Sequence, residues 1–352
     1  MRRDYKTIII IALIVSSVVV VSNLVQIFQE DEYFSPLIST IPEEQGINSS
    51  VLSDMYDYIE NNYIDLHSVM ILRNGFIVNE TYLEDSIIKE EQKFQSGPYW
   101  LIEDDLHNIF STTKSITSLL IGIAIDHGYI DNVNQTLLDF FPDLLESTDS
   151  KSQITIEHLL TMTSGIPDEI DDNSNDVQNI LNLILLDEPG EYFYYSSSAC
   201  HILAAIIDRS TEMKVEEFAE EFLFKPIGIS HDNWFWEVDS NEINIGGWGI
   251  LMTPRAMARI GLLCLNNGTW NETQVISADW IEKSTTSDNE EAFFGYLWWI
   301  EPNYYYAAGI FGQCVYMYPE ERIIVVFTGE IQKFGEIYSY LLSNFILKAI
   351  IQ

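Results

Sequence analysis

Basic residues are scarce in this chain: 17 Lys and Arg face 54 Asp and Glu, a formal charge of -37 over 352 residues. A surface so short of positive charge does not hold a phosphate backbone. Nucleic acid is therefore excluded as a partner, and so is an anionic membrane face bound through a basic patch. Cysteine is scarce too. Cys200, Cys264 and Cys314 are too few and too scattered for a disulfide framework, and no C-x-x-C or Cys/His spacing suggests zinc. No metal or cofactor is expected. The sequence also lacks G-x-S-x-G, H-E-x-x-H, G-x-x-x-x-G-K-[ST] and G-x-G-x-x-G, which removes the alpha/beta-hydrolase elbow, the zincins and the usual nucleotide loops. With 18 Gly and 10 Pro the chain is neither collagenous nor of low complexity, and 47% hydrophobic residues can bury a large core.

One long apolar run is present. Thr7 to Gln29 contains no charge and is rich in Ile and Val, and at about 1.5 Å per residue it is long enough for a bilayer core of about 30 Å. Arg2, Arg3 and Lys6 precede it and Glu30, Asp31 and Glu32 follow it, so the positive-inside bias places the N-terminus in the cytoplasm. The expectation is a transmembrane signal anchor over 1–29 that holds a single-pass protein in the cell membrane, with its catalytic domain outside the cytoplasm. A cleaved signal, leaving the domain secreted, is the alternative. Against it, the apolar run exceeds a signal core of about 7–15 residues, and no A-x-A-like site follows. Residues 30–50 carry acids, Pro and Gly without periodicity and read as a stalk, which leaves 51–352 as the folded domain.

Within that domain, Val51 to Asn61 reads as a short helix, and HSVMILRNGFIVNETYL as two alternating runs joined by Asn74-Gly75, a type I′ hairpin signal. The middle, about 111 to 265, is mostly helical. Ile116, Leu119, Leu120 and Ile123 recur at helical spacing before Gly128, and Thr253-Pro254 and Gly268 bracket a further helix. Strands return at FGYLWWI (294–300), YYYAA (304–308), QCVYMY (313–318) and RIIVVFTG (322–329), followed by a helix from about Gly335 to Ile350. This order predicts an α+β fold: one antiparallel sheet built from both ends of the chain, flanked by the terminal helices, with the helical middle inserted as a lobe. The cleft between the lobes is the expected binding site.

The catalytic pattern that remains is S-x-x-K at Ser111-Thr112-Thr113-Lys114, opening a helix. One turn separates the two side chains, so the hydroxyl reaches the amine, and burial near the positive end of the helix lowers the lysine pKa toward a neutral base. The Ser111 N–H could form half of an oxyanion hole. The pattern by itself is weak. Ser86-Ile87-Ile88-Lys89 matches it equally, in an acidic stretch with no amphipathic helix behind it, and a serine opening a helix is often a plain N-cap. His107, His127, His158 and His201 are read as structural, because this chemistry needs no imidazole.

The segment HNIFSTTKSITSLLIGIAIDHGYI (107–130) resembles the active-site region of the serine beta-lactamase-related and penicillin-binding-protein-like hydrolases. TIEHLLTMTSGI (155–166), GEYFYYSSSACHILAAII (190–207), GGWGILMTPRAMARIGLLCLNNGTW (246–270), FGYLWW and AAGIFGQ follow in the family's order. The resemblance implies the beta-lactamase/transpeptidase-like fold and makes Ser111 the nucleophile, with Lys114 and Tyr195 sharing proton transfer. It sets the family's Tyr-x-Asn or Tyr-x-Ser element on Tyr195-Ser196-Ser197, a form similar to that of the 6-aminohexanoate-dimer hydrolase and esterase-like members. The strand triplet, commonly Lys-Thr-Gly or His-x-Gly, falls on Ala307-Ala308-Gly309, and by alignment the Ile310 N–H completes the oxyanion hole. Ala307 lacks the cationic or imidazole group that helps to recognise a substrate carboxylate. The implied activity is hydrolysis of small esters or amides through an acyl-enzyme. A D-amino-acid peptidase or a beta-lactamase proper is the alternative among enzymes, and a binding module that keeps the fold is the alternative outside them.

Overall fold

The computed structural model describes residues 36–83, 106–169, 176–287 and 293–351. Residues 7–29, together with Ser86 and Lys89, lie outside the described residues. Among the described residues no helix is long and apolar enough to cross a membrane. The expected transmembrane anchor, and the membrane-held placement outside the cytoplasm that followed from it, are corrected accordingly. An apolar run can meet the length requirement for a span without establishing one.

Ordered structure starts inside the expected stalk, with a 3₁₀ turn at Pro42–Gln45 and the helix Ser49–Asn61, where Asn48 accepts from the Ser50 N–H. Ile47 is fully buried and bridges Ile350, so this part of the 30–50 stretch packs onto the domain. Strands β1 (Leu66–Arg73) and β2 (Phe76–Tyr82) form the expected hairpin. Its turn residues Asn74 and Gly75 take φ of 52° and 85°, the two left-handed positions of a type I′ turn. A small sheet follows, assembled from distant pieces: β3 (His107–Asn108), β4 (Trp234–Trp236) and β5 (Ile250–Met252), in the order β3-β5-β4. After the short hairpin of β6 (Thr269–Trp270) and β7 (Thr273–Gln274) come β8 (Trp299–Glu301), β9 (Tyr304–Gly309), β10 (Gln313–Tyr318) and β11 (Ile323–Gly329).

The main sheet runs β2-β1-β11-β10-β9-β8, antiparallel throughout, and β11 against β1 joins the two ends of the chain, with Val69 opposite Phe327. Both β10 and β11 are buried along their whole length. One face is covered by the Ser49–Asn61 and Phe334–Leu341 helices and the other by the Pro254–Leu265 helix and the lobe, which is why these strands read as apolar runs without alternation. The C-terminal helix expected to about 350 is α-helical only over Phe334–Leu341; it continues as a π turn at Leu342–Ile346 and a 3₁₀ turn at Leu347–Ala349. The expected strand at 294–300 is also shorter. Leu297, at φ 63°, turns the backbone out of the sheet and donates to Leu160 O at 3.1 Å, so pairing with β9 starts at Trp299.

The helix Thr112–Asp126 lies where sheet and lobe meet, with every residue from Thr112 to Ala124 buried. A helix enclosed on all sides must satisfy its hydroxyls internally. Thr112 Oγ1 donates to Gln313 O (2.7 Å), Ser115 Oγ to Leu297 O (2.7 Å) and Thr117 Oγ1 to Gly246 O (2.8 Å), while Thr113 Oγ1 accepts from the Ile250 N–H (3.2 Å). Each bond ties the helix to a different part of the chain, and together they hold its first turn in place.

Candidate active site

Ser111 precedes this helix with helical angles, φ -66° and ψ -10°, and its side chain makes no capping bond. The ordinary N-cap role of serine is therefore not what it performs. Phe110 before it has φ 46°, a costly conformation for an aromatic residue, and Phe311 beyond β9 has φ 63°. Their rings meet edge to face with centroids 5.6 Å apart, which locks the Ser111 turn against the end of β9. Backbones approach closely here: a Cβ on Gly309 would lie 2.2 Å from Ile109 O. Among the described residues, neither the Ser111 N–H nor the Ile310 N–H donates to a protein acceptor.

Lys114 stands one turn on, 2% exposed, and its Nζ contacts Ser111 Oγ (3.2 Å), Ser197 Oγ (3.0 Å) and Gly247 O (2.7 Å). The amine also lies 4.8 Å from the centroid of the Tyr195 ring. Burial pushes its pKa below the ordinary lysine value, against the pull of Cys200 and Asp168. Tyr195 is half-buried and stacks on Trp299 with centroids 5.9 Å apart. Burial raises its pKa above the ordinary tyrosine range, and the nearby Ser111 hydroxyl offsets this only in part. Ser197 opens the helix Ser197–Thr211; its N–H donates to Asp168 Oδ1 at 2.7 Å, and Ser196 caps the helix by accepting from the Ala199 N–H at 3.0 Å.

Lys114 thus gathers Ser111, Ser197 and the Tyr195 ring around one amine, although Ser111 and Ser197 are 86 positions apart in sequence. Gly309 packs on Ile109 and Phe110, the residues that lead into Ser111, and Ile310 after it is 54% exposed. Ala307 is placed differently from a residue edging an open cleft. It is 3% exposed and lines a small apolar cavity with Thr112, Ser115 and Trp298. Sequence reasoning missed the Gly247 carbonyl. Its signal was the Gly246-Gly247 pair: a Cβ on Gly247 would lie 2.9 Å from the Ser197 Cβ, and one on Gly246 2.4 Å from Cys200 O. Elsewhere, Asp65, His67 and Glu330 bring ligand atoms within 4.8 Å of one another, a grouping capable of holding a cation, and it shares no residue with the Ser111 cluster.

Residues 68–335 match the family model described as Beta-lactamase. The chain belongs to the beta-lactamase family. Among curated relatives, it is 24% identical over 259 residues to 6-aminohexanoate-dimer hydrolase of Paenarthrobacter ureafaciens, covering 63% of this chain and 66% of that protein. It is 26% identical over 204 residues to Protein flp of Staphylococcus aureus (strain MW2), covering 54% of this chain and 38% of that protein. The chain therefore spans less than two thirds of the length of these relatives. A Bacillus anthracis protein provisionally described as a 6-aminohexanoate-dimer hydrolase shares the fold at a TM-score of 0.73 and 19% identity, over 91% of this chain and 90% of that one. FmtA from Staphylococcus aureus does so at 0.69 and 15%, over 90% and 93%. The beta-lactamase/transpeptidase-like α+β fold expected from the sequence is the fold found, and it is a fold whose family members are serine hydrolases.

Proposed function

We propose that this beta-lactamase family protein hydrolyses small neutral esters or amides through an acyl-enzyme on Ser111, within a catalytic unit spanning 51–352. The observation that carries the reading is the buried Lys114 amine, hydrogen-bonded at once to the Ser111 and Ser197 hydroxyls. A neutral amine has two N–H donors and one lone pair. Gly247 O takes one N–H and Ser197 Oγ the other, which turns the lone pair toward the Ser111 hydroxyl. Lys114 removes that proton as Ser111 Oγ attacks the substrate carbonyl, and the N–H groups of Ser111 and Ile310 bind the oxyanion. Tyr195, kept protonated by its raised pKa, gives its proton to the departing alkoxide or amide nitrogen and takes back the one held by the Lys114 ammonium, so both groups return to their starting states and a water repeats the sequence to release the acid.

The pH profile follows from the sign of the lysine shift. The base works when neutral, so kcat/KM rises with pH through the Lys114 pKa, and burial moves this limb below the ordinary lysine pKa of about 10.4. Measuring kcat/KM for p-nitrophenyl acetate against pH checks it. A limb at or above the ordinary lysine value contradicts the assignment of the base.

Substrate charge tests the reading further. Ala307 offers no cation, and among the described residues Lys114 is the only basic side chain hydrogen-bonded to Ser111 or Ser197 or stacked on Tyr195. A charge-assisted bond to a substrate carboxylate contributes about 1.5–3 kcal/mol, so its absence costs roughly 10- to 150-fold. For the full chain, kcat/KM for p-nitrophenyl acetate and butyrate is expected to exceed that for nitrocefin clearly. Nitrocefin turnover at the rate of a dedicated beta-lactamase would sink the neutral-substrate reading.

A further inference from the structure

Among the described residues, the lobe holds a buried polar pair that this chemistry does not use. His201 Nε2 and Asp239 Oδ2 are 3.0 Å apart, with side chains 2% and 1% exposed. The other carboxylate oxygen accepts from the N–H groups of Asn241 (2.8 Å) and Ile243 (2.9 Å), so Asp239 organises the loop that follows it. Burial works to protonate this carboxyl, but the bonds from His201, Ile243 and Asn241 prevail and hold its pKa below the usual value. Among the described residues His201 Nδ1 has no partner, so the imidazole is anchored only through Nε2.

That loop leads directly to the site. Ser197, Cys200, His201 and Ala204 lie three and four residues apart and share one face of the Ser197–Thr211 helix. The loop runs along this face: His201 grips it at Asp239, and Gly246 and Gly247 pack on Cys200 O, Ala204 and Ser197. At its far end Gly246 O accepts from Thr117 and Gly247 O from Lys114. The helix face that presents the Ser197 hydroxyl to Lys114 is therefore also the face that holds the Gly247 carbonyl there.

We propose that the His201–Asp239 pair is a positioning device that clamps the 239–247 loop to the Ser197–Thr211 helix and so fixes the Gly247 carbonyl on the Lys114 amine. The proposal rests on Lys114 being the base. A carbonyl 2.7 Å from Nζ favours the ammonium, so releasing the loop removes that support and lowers the lysine pKa further, while the lone pair loses its aim at Ser111. The other groups facing Lys114, namely Asp168, Cys200 and Tyr195, and Asp208 facing Asp239, stay unchanged in the variants below.

The test is an NMR titration of Lys114 in full-length protein carrying lysine labelled with 13C at Cε, its signal assigned by loss in Lys114→Met. Asp239→Asn and His201→Leu are expected to lower the Lys114 pKa by about one pH unit. They should also reduce kcat by about 10- to 100-fold with KM nearly constant, the scale of effect of a misaimed catalytic group. His201→Gln, whose side-chain amide takes the place of the Nε2 donor, should keep both near wild type. Glu242→Gln breaks only the exposed Lys214–Glu242 pair on the same loop and should leave both unchanged. A Lys114 titration that stays put or moves up in the folded Asp239→Asn and His201→Leu proteins overturns the clamp. The titration does not depend on turnover. An active Ser111→Ala variant would therefore count against the catalytic reading alone.

Discussion

Ser111→Ala is expected to remove ester turnover altogether, while Ser86→Ala leaves it at the wild-type level. Both serines begin an S-x-x-K pattern, but Ser111 adjoins the central helix and lies 3.2 Å from the Lys114 amine. Without its oxygen there is no atom to carry the acyl group, and the remaining N–H groups and lysine act only on a bound water. In enzymes of this kind such residual catalysis falls short by several orders of magnitude. Steady-state hydrolysis of p-nitrophenyl butyrate by the two variants decides the point. Equal losses from both substitutions would undo the assignment.

The second large effect belongs to the proton path. Lys114→Ala and Tyr195→Phe should each lower kcat by about 10²–10⁴, the usual contribution of a positioned acid or base. The two are not equivalent in stability. Tyr195→Phe keeps the ring between Lys114 and Trp299 and deletes one hydroxyl, so folding is little changed. Lys114→Ala strips the donor from Gly247 O and Ser197 Oγ in a buried site, which costs about 1–3 kcal/mol per unsatisfied group, although removing a buried amine also removes its desolvation penalty. Thermal unfolding alongside the kinetics separates lost chemistry from lost structure. Wild-type rates in either variant would mean that its role is wrong.

What could be read from the sequence was what neighbouring residues determine. Asn74-Gly75 specified the hairpin because both positions need positive φ, and Thr253-Pro254 marked the start of the helix at Pro254–Leu265. The apolar runs of β10 and β11 identified strands covered on both faces. Ser111 and Lys114 were visible as one helical turn. Features set by distant partners were not visible. Leu297 leaves the sheet because Leu160, in the lobe, accepts its N–H, and no periodicity within FGYLWWI records that bond. The third partner of Lys114 is a carbonyl 133 residues away, and carbonyls have no sequence signature beyond the glycines that let them approach. His201 read as structural for a good reason, since its partner Asp239 lies 38 residues on and nothing local links them. The apolar run over 7–29 met a length criterion, but no described helix provides a membrane span.

Acyl transfer by this site requires a covalent intermediate on Ser111 Oγ. The most direct measurement is peptide mapping by mass spectrometry after full-length protein has reacted with a fluorophosphonate, with and without prior incubation with p-nitrophenyl butyrate. A single phosphonyl adduct is expected on the peptide containing Ser111, reduced when the ester is present and absent in Ser111→Ala. An adduct on Ser197 or another serine, or no adduct on a folded protein that still hydrolyses the ester, would contradict it.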